Sequence, residues 1–256
     1  MDLSVVIPVK DEAANVALLV LEIRAALDGL VDYEIVFVDD GSADTTAAEI
    51  ARLQADMRQL RLLRHRRCCG QSAAIRTGVR AARGEWIATL DGDGQNDPAD
   101  IPKLWRIGFS APAASAMLIT GCRKNRQDSW TKRVASRIAN GVRRWLLSDA
   151  TPDTGCGLKL FPRSLFLDLP YFDHMHRFLP ALVLREGGTV WSVPVNHRPR
   201  RQGVSKYGIL DRLAVGAVDV FGVIWLKHRT TRPQLLDEAS PNAATATTSR
   251  SFSVVR

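Results

Sequence analysis

The stretch GEWIATLDGDGQNDP, residues 84–98, contains the residue types best suited to chemistry. Residues 86–90 predict a short buried strand that runs straight into Asp91, Asp93 and Gln95. In extended backbone these alternate positions put three side chains on one side. Gly92 and Gly94 between them allow a tight turn and close approach of a ligand. Two carboxylates and an amide oxygen at a strand end form a hard-oxygen set suited to Mg²⁺ or Mn²⁺, cations that bridge to phosphate oxygens. In open α/β sheets, ligands sit at the carboxyl ends of strands. The competing reading is a polar turn that caps a helix starting near Pro98.

A series of strands and helices must hold that strand end in place. LSVVIPV, residues 3–9, is the continuous β-branched run expected of a strand buried on both faces, with Pro8 closing it. Residues 13–27 follow a helical period through Val16, Leu19, Val20, Ile23 and Leu27. YEIVFVDDGSADTT predicts a second buried strand, 34–38, ending in Asp39 and Asp40. Gly41 then turns the chain, and Asp44 is placed to cap a helix. Residues 60–65 read as a third strand and 71–82 as an alanine-rich helix. Strand and helix alternate with short links, which predicts a parallel, doubly wound sheet. Further on, the pattern predicts strands at 117–120, 157–161 and 189–195. Helices are expected at 130–147 (basic), 177–185 and 209–228 (apolar-rich). The tail from residue 230 onward is poor in order-promoting residues and reads as disordered.

The chain has 256 residues, 46% hydrophobic and 24% charged, which is ordinary globular usage. Its formal charge of +8 admits a nucleic acid, an anionic membrane or a phosphorylated substrate. The basic residues crowd into 123–144 and 198–206, after an acidic strand-end site, and do not interleave with aromatics. No nucleic-acid partner is therefore expected. Cys68, Cys69, Cys122 and Cys156 show no CxxC spacing, so reduced thiols are expected, without a zinc site or a disulfide framework. The N-terminus lacks a basic n-region and a long apolar run, so no signal peptide is expected. The apolar stretch 213–226 contains Asp219 and falls short of the roughly 20 residues that span a bilayer.

The three strand ends PVKDE, VDDGSADTT and LDGDGQNDP together resemble the nucleotide-sugar-binding half of glycosyltransferase family 2. DTGCGLKLF, MHRFLPAL and HRPRRQGVSKYG resemble its polyprenyl-phosphate, dolichol-phosphate mannosyltransferase-like branch. The resemblance implies a single α/β domain of GT-A type over residues 1–228, with a mainly parallel, doubly wound sheet. Within it, 1–122 would be the nucleotide-sugar half, 123–208 the acceptor half and 209–228 an amphipathic helix suited to the membrane interface. It also implies an inverting, metal-dependent enzyme that moves a hexose from a GDP- or UDP-sugar to a polyprenyl phosphate. Such an enzyme would use Mg²⁺ or Mn²⁺ and sit peripherally on an anionic membrane surface, on the cytoplasmic face. Carried over residue by residue, the family pattern puts Pro8, Glu12, Asp39 and Asp40 beside the nucleotide, with Asp40 on the base or ribose. Asp91 falls near the ribose and metal, and Asp93 and Gln95 on the metal. Arg123, Lys132 and Ser136 fall where this branch handles phosphate, and Arg200, Ser205 and Lys206 where it holds the acceptor phosphate. Asp91, Asp93, Arg123 and Arg200 are the expected catalytic residues.

The charge argument favours a phosphate acceptor. A phosphate monoester is already substantially ionised at neutral pH, because its second pKa is roughly 6, and it needs cations more than a general base. A sugar hydroxyl acceptor on a cell-surface glycan would need a carboxylate base, for which Asp153 is the nearest candidate. A sugar nucleotidyltransferase is the other enzyme alternative, but no Gly- and Arg-rich nucleotide loop opens the chain. A dinucleotide oxidoreductase would need GxGxxG where PVKDEAAN stands. Several residues have plainer readings. Asp39 and Asp40 would cap a turn, His176 and Arg177 would begin a helix, His65 and His197 would end strands, and Cys68 and Cys69 carry no expected role.

Overall fold

Two β-branched runs set the centre of the molecule. β1 (Leu3–Val9) and β2 (Tyr33–Asp39) are buried along nearly their whole length, and they pair in parallel. The computed structural model describes residues 1–110, 116–123, 151–199, 209–229 and 231. β3 (Leu60–Arg64) joins the far side of β2, and β4 (Trp86–Thr89) joins the other side of β1, both parallel. β5 (Met117–Arg123), β6 (Lys159–Pro162) and β7 (Thr189–Val195) complete a seven-stranded sheet of order β3-β2-β1-β4-β6-β5-β7. β5 and β7 are parallel, while β6 runs antiparallel to both β4 and β5. The predicted sheet is therefore present with one reversed strand. That reversal matters for the site: Lys159 opens β6 opposite Thr89, so the chain before β6 passes over the end of β4.

Alternate residues of β1 feed two cores. Leu3, Val5, Ile7 and Val9 face α1 (Ala13–Leu27), whose Val16, Leu19, Val20, Ile23 and Leu27 form the predicted apolar stripe. Ile50 of α2 (Thr46–Gln54) and Leu104 of α4 (Ile101–Phe109) close this side. Val6, Val36 and Val38 face the other way, against Ala74, Ile75 and Val79 of α3 (Gln71–Ala81). α5 (Arg163–Asp168), α6 (Leu179–Arg185) and α7 (Ile209–His228) cover the rest of that face. Helices on both faces explain why both residue parities of the inner strands are apolar.

Some boundaries differ from the sequence pattern. Pro8 lies inside β1 and does not end it. β4 pairs with β1 only as far as Val6, so the missing N–H at Pro8 removes no ladder bond on that side. The helix expected at 177–185 begins at Leu179, after a 3₁₀ turn, Met175–Arg177, entered through a left-handed His174 (φ 64). The strand expected at 157–161 begins at Lys159, because 151–158 is occupied with the site. The basic helix at 130–147, the segment 200–208 and the tail lie outside the described residues.

α7 is apolar on more than one side. Val223 is buried, with Val220, Ile224 and Leu226 packed on the second core, and Asp219 takes a hydrogen bond from His174 Nδ1 at 3.1 Å. Val218, Phe221 and Trp225 nevertheless remain 60–71% exposed. The described part of this helix is thus not divided into an apolar and a polar face. Among the described residues no helix is long and apolar enough to cross a membrane.

A buried polar knot fixes the end of the sheet opposite the acidic turns. Glu34 accepts from Ser4 Oγ at 2.7 Å, Arg61 Nη1 at 2.7 Å and Arg83 N at 2.6 Å. Ser4 Oγ in turn accepts from Gly84 N at 2.9 Å. Burial pushes the Glu34 carboxyl up, and these donors more than offset it, leaving it below its usual range. A Cβ on Gly84 would lie 2.6 Å from the Leu3 carbonyl carbon and from Ser4 N, both immovable backbone. Gly84→Ala is therefore expected to lower stability by about 1–3 kcal/mol. Gly222→Ala, where a Cβ meets nothing within 4 Å, should instead be neutral or stabilising. Urea denaturation checks both.

Candidate active site

After β4 the chain does not stay extended. Gly94 takes φ +71 and Gln95 N donates to Asp93 Oδ1 at 3.1 Å, so residues 91–96 form a turn. A turn, and not strand alternation, therefore brings Asp91 and Asp93 together. Asn96 is buried and its Oδ1 accepts from Asp91 N at 3.1 Å, holding the turn closed. Gln95 leans toward the strand that follows β7: Arg198 N donates to its carbonyl at 3.0 Å, and its Nε2 reaches the Arg198 carbonyl at 3.5 Å. The capping reading holds as well, one step further on. Asp97 accepts from Ala99 N at 3.0 Å and from Arg198 Nη2 at 2.5 Å, at the head of the 3₁₀ turn Pro98–Asp100.

Three segments meet at Asp91. Gln71, the first residue of α3, donates its Nε2 to Asp91 Oδ1 at 2.8 Å. A Cβ on Gly157 would lie 2.2 Å from Asp91 Oδ2 and 2.6 Å from Asn96 Oδ1, so only glycine fits beneath this carboxylate. Thr89 Oγ1 donates to the Gly157 carbonyl at 2.7 Å and holds the two strands' ends together. Burial, then the neighbouring Asp93 charge, pushes the Asp91 carboxyl up to about 6, against the opposing pull of Lys159 and Arg123. Lys159 is itself buried, donates to the Cys156 carbonyl, and is pushed down by that burial.

Arg123 is the one expected acceptor-phosphate residue that lies within the described chain. It is held bidentately by Asp153, Nε to Oδ2 at 2.6 Å and Nη2 to Oδ1 at 2.8 Å. The same Oδ2 accepts from Arg123 N at 3.2 Å. Asp153 is thus the counter-ion of Arg123, a poor arrangement for a general base. Lys132, Ser136, Arg200, Ser205 and Lys206 lie outside the described residues.

The first two strand ends are laced to each other. Asp11, at a left-handed φ of 54, accepts from Ala43 N at 2.7 Å and donates its own N–H to Ser42 Oγ at 2.9 Å. Glu12 N donates to Thr46 Oγ1 at 2.9 Å, and the Glu12 carboxylate accepts from Asn15 Nδ2 at 2.6 Å. Pro8 is the penultimate residue of β1, three residues before Asp11. Asp44, two residues ahead of the first residue of α2, accepts from Thr46 N at 2.9 Å, while Thr45 holds the N-cap position. Asp39 is fully buried and supports the turn, accepting from Ser42 N at 2.9 Å and pairing with Arg64 at 3.3 Å.

Asp40 faces the loop 65–70. Its Oδ1 accepts from His65 Nδ1 at 2.7 Å and Cys69 N at 2.8 Å, and its Oδ2 from Gly70 N at 2.8 Å and Cys68 Sγ at 3.3 Å. Burial raises the Asp40 carboxyl, but these donors prevail and hold it below its usual range. Gly41 makes the contact possible, since a Cβ there would stand 2.7 Å from the Arg67 carbonyl carbon. His65 and the two cysteines, which carried no expected role, therefore form this wall of the site. The absence of sequence spacing hid them, and only the close pass of the loop joins them to Asp40.

Among the described residues, two places have ligand chemistry for a cation. Asp40, His65 and Cys69 bring their ligand atoms within 4.8 Å of one another. There, however, both carboxylate oxygens already accept hydrogen bonds. At Asp91, burial first and then the like charge of Asp93 raise the carboxyl, and a hard cation between the two would oppose both effects. The second place fits Mg²⁺ or Mn²⁺ better. His176 adds a neutral group on α3's side: its Nδ1 meets Ser72 Oγ at 2.7 Å, and burial holds the imidazole well below its usual range.

The fold is that of known nucleotide-sugar enzymes. Glucosyl-3-phosphoglycerate synthase from Mycobacterium tuberculosis, with Mn²⁺, uridine diphosphate and phosphoglyceric acid, superposes with a TM-score of 0.66 at 18% identity. The match covers 90% of this chain and 80% of that one. Residues 4–169 match glycosyl transferase family 2, and the chain belongs to that family. It is 34% identical over 238 residues to dodecaprenyl-phosphate galacturonate synthase of Rhizobium johnstonii, covering 91% of this chain and 69% of the relative. It is 36% identical over 211 residues to undecaprenyl-phosphate 4-deoxy-4-formamido-L-arabinose transferase of Edwardsiella ictaluri, covering 81% and 63%. The chain thus spans about two thirds of the length of these relatives.

The Asp91 shift has a consequence for stability. Its folded value of about 6 lies above the ordinary 3.8, so the protonated form suits the fold better. That contribution is present below 3.8 and is lost as pH rises through about 6. In metal-free protein at pH 7, Asp91→Asn is expected to stabilise the fold by up to about 3 kcal/mol, the gain vanishing toward pH 4. Urea denaturation at both pH values checks it, and a loss of stability at pH 7 would contradict it.

Proposed function

We propose that this protein is an inverting glycosyltransferase that moves a hexose from a GDP- or UDP-sugar to a polyprenyl phosphate at a membrane surface. The observation that carries this reading is the pairing of Asp153 with Arg123. The carboxylate that could have activated a sugar hydroxyl is held by a guanidinium. A phosphate acceptor needs no such base, since it is substantially ionised near neutral pH. The relatives' names, both polyprenyl-phosphate sugar enzymes, support the same acceptor class.

In this reading, the laced loops bearing Pro8, Glu12 and Asp40 receive the nucleoside, with Asp39 as their buried support. Asp91 lies against the ribose, and Asp93 with Gln95 would hold Mg²⁺ or Mn²⁺ beside the diphosphate. When bound, that cation supplies positive charge against the departing nucleoside diphosphate. Asp91, fixed by Gln71 and seated on Gly157, keeps the acidic turn aimed at the cleft. Arg123, with Lys132, Ser136, Arg200, Ser205 and Lys206, binds and aims the acceptor phosphate, so that its oxygen attacks from the face opposite the leaving group. The exposed Val218, Phe221 and Trp225 of α7, with Lys227, His228 and Arg229 at its end, suit contact with an anionic lipid surface.

A panel of nucleotide sugars with Mn²⁺ or Mg²⁺ and a short prenyl phosphate tests the reaction, with hydrolysis counted separately. Asp93→Asn is expected to abolish metal-dependent nucleotide binding by calorimetry while circular dichroism stays unchanged. Unchanged binding would remove Asp93 from the cation site. For the membrane contact, cosedimentation with vesicles should rise with anionic lipid and fall with salt, since charges are screened over about 10 Å at 0.1 M. Trp225→Ser with Phe221→Ser should weaken it. Protein that stays in the supernatant at low salt would refute that contact.

A further inference from the structure

A second concave site lies on the α3 face of the sheet, away from the acidic turn. It is a cavity of about 240 Å³ between α3, α5 and the segment leading to the 3₁₀ turn Met175–Arg177. Arg76, Arg80 and Arg163 line it, over a floor of Phe166, Leu169 and Met175. Gln71, which reaches Asp91, opens α3, and Arg80 lies nine residues along that helix, about 14 Å at a rise of about 1.5 Å per residue. Arg76, five residues along, lines the near side, so the cavity runs from about 8 Å to about 14 Å along α3 from Gln71.

Its charge has no carboxylate counter-ion among the described residues. Among the described residues no carboxylate forms an ion pair with Arg76, Arg80 or Arg163. Arg163 is oriented by neutral groups, with Nε on the Val79 carbonyl and Nη2 on the Arg80 carbonyl, both at 2.9 Å. Those bonds cap the end of α3 and leave the cationic charge in place. Arg76 Cζ lies over the Tyr171 ring, 4.2 Å from its centroid, a cation–π contact that leaves its positive charge in place. Guanidinium groups around one hollow, over an apolar floor, suit a phosphate ester. The rim adds an apolar element: Leu167 and Tyr171 are 40% and 39% exposed at the mouth. The volume is below the roughly 300–1,000 Å³ of drug-sized ligand pockets, enough for a headgroup and too small for a nucleotide sugar. Met175 of the floor follows His174, whose bond to Asp219 ties this wall to α7.

We propose that this cavity binds the phosphate diester of an anionic membrane lipid, as a headgroup site distinct from the catalytic cleft. The proposal rests on the membrane reading given above and names the chemistry by which that surface would be recognised. Cations in the hollow meet the phosphate, and Leu167 and Tyr171 meet the start of the acyl region.

The test uses the full chain and short-chain phosphatidylglycerol below its micellar concentration, with glycerol phosphate and inorganic phosphate as separate arms. Calorimetry is expected to show binding of the short-chain lipid that Arg76→Gln with Arg80→Gln weakens at least tenfold, and that Asp93→Asn leaves unchanged. Arg163 is left in place because it caps α3. Equal lipid affinity in wild type and the double variant would overturn the proposal. So would glycerol phosphate or inorganic phosphate binding as tightly as the lipid, which would assign the cavity to a free phosphate. Lipid binding lost in Asp93→Asn but kept in the double variant would place the lipid in the catalytic cleft and also overturn it. Nucleotide binding and sugar transfer are read on the same preparations. Failure of the headgroup site with transfer intact is thereby separated from failure of the proposed reaction.

Discussion

A side chain that is absent sets the geometry of this site. Asp91 rests on Gly157 so closely that a single methyl would collide with its carboxylate. The contact exists because β6 runs against its neighbours and brings residues 151–159 across the end of β4. Once that segment is in place, Thr89 and Asn96 bind it, Lys159 is buried beneath the acids, and Asp153 meets Arg123. A strand of the opposite sense would leave the acidic turn facing open solvent. The reversal and the glycine are thus one constraint seen at two scales.

The carboxylates of this fold fall into two kinds. Glu34, Asp39, Asp40 and Asp153 each accept several hydrogen bonds from backbone or cationic donors, and they hold loops and strand ends in place. Asp91 and Asp93 are different. They stand close enough to raise the Asp91 carboxyl, and the nearby Lys159 and Arg123 only partly compensate. A fold that holds like charges together at a strand end stores electrostatic free energy there, which a cation can release. The other acids provide the rigidity that keeps Asp91 and Asp93 from relaxing apart.

The two faces of the sheet have separate tasks. The α1 face is sealed by aliphatic packing, and its loops lace the first two strand ends. The α3 face carries the cationic hollow, the His174–Asp219 link and the exposed apolar stripe of α7. Apolar and cationic groups on one flank give the molecule a surface that differs from the acidic cleft at the strand ends.

Much of this was legible in the chain by itself. β-branched runs and the 3.6-residue period marked β1, β2, β4 and α1 because burial on one or both faces leaves a local pattern. The order of the acidic strand ends indicated the family because each motif is contiguous. The helix at 177–185 was placed two residues early because a left-handed His174 is invisible to periodicity. The alternation of Asp91, Asp93 and Gln95 suggested an extended strand, but Gly94 and an Asx-type bond made a turn, a choice settled by Asn96 and the passing segment. His65, Cys68 and Cys69 gave no signal, since their partner Asp40 is 25 or more residues away. Local pattern records which face a residue buries. Which distant segment crosses a strand end, and therefore which charges share a site, is decided only when the sheet closes and β6 turns back across it.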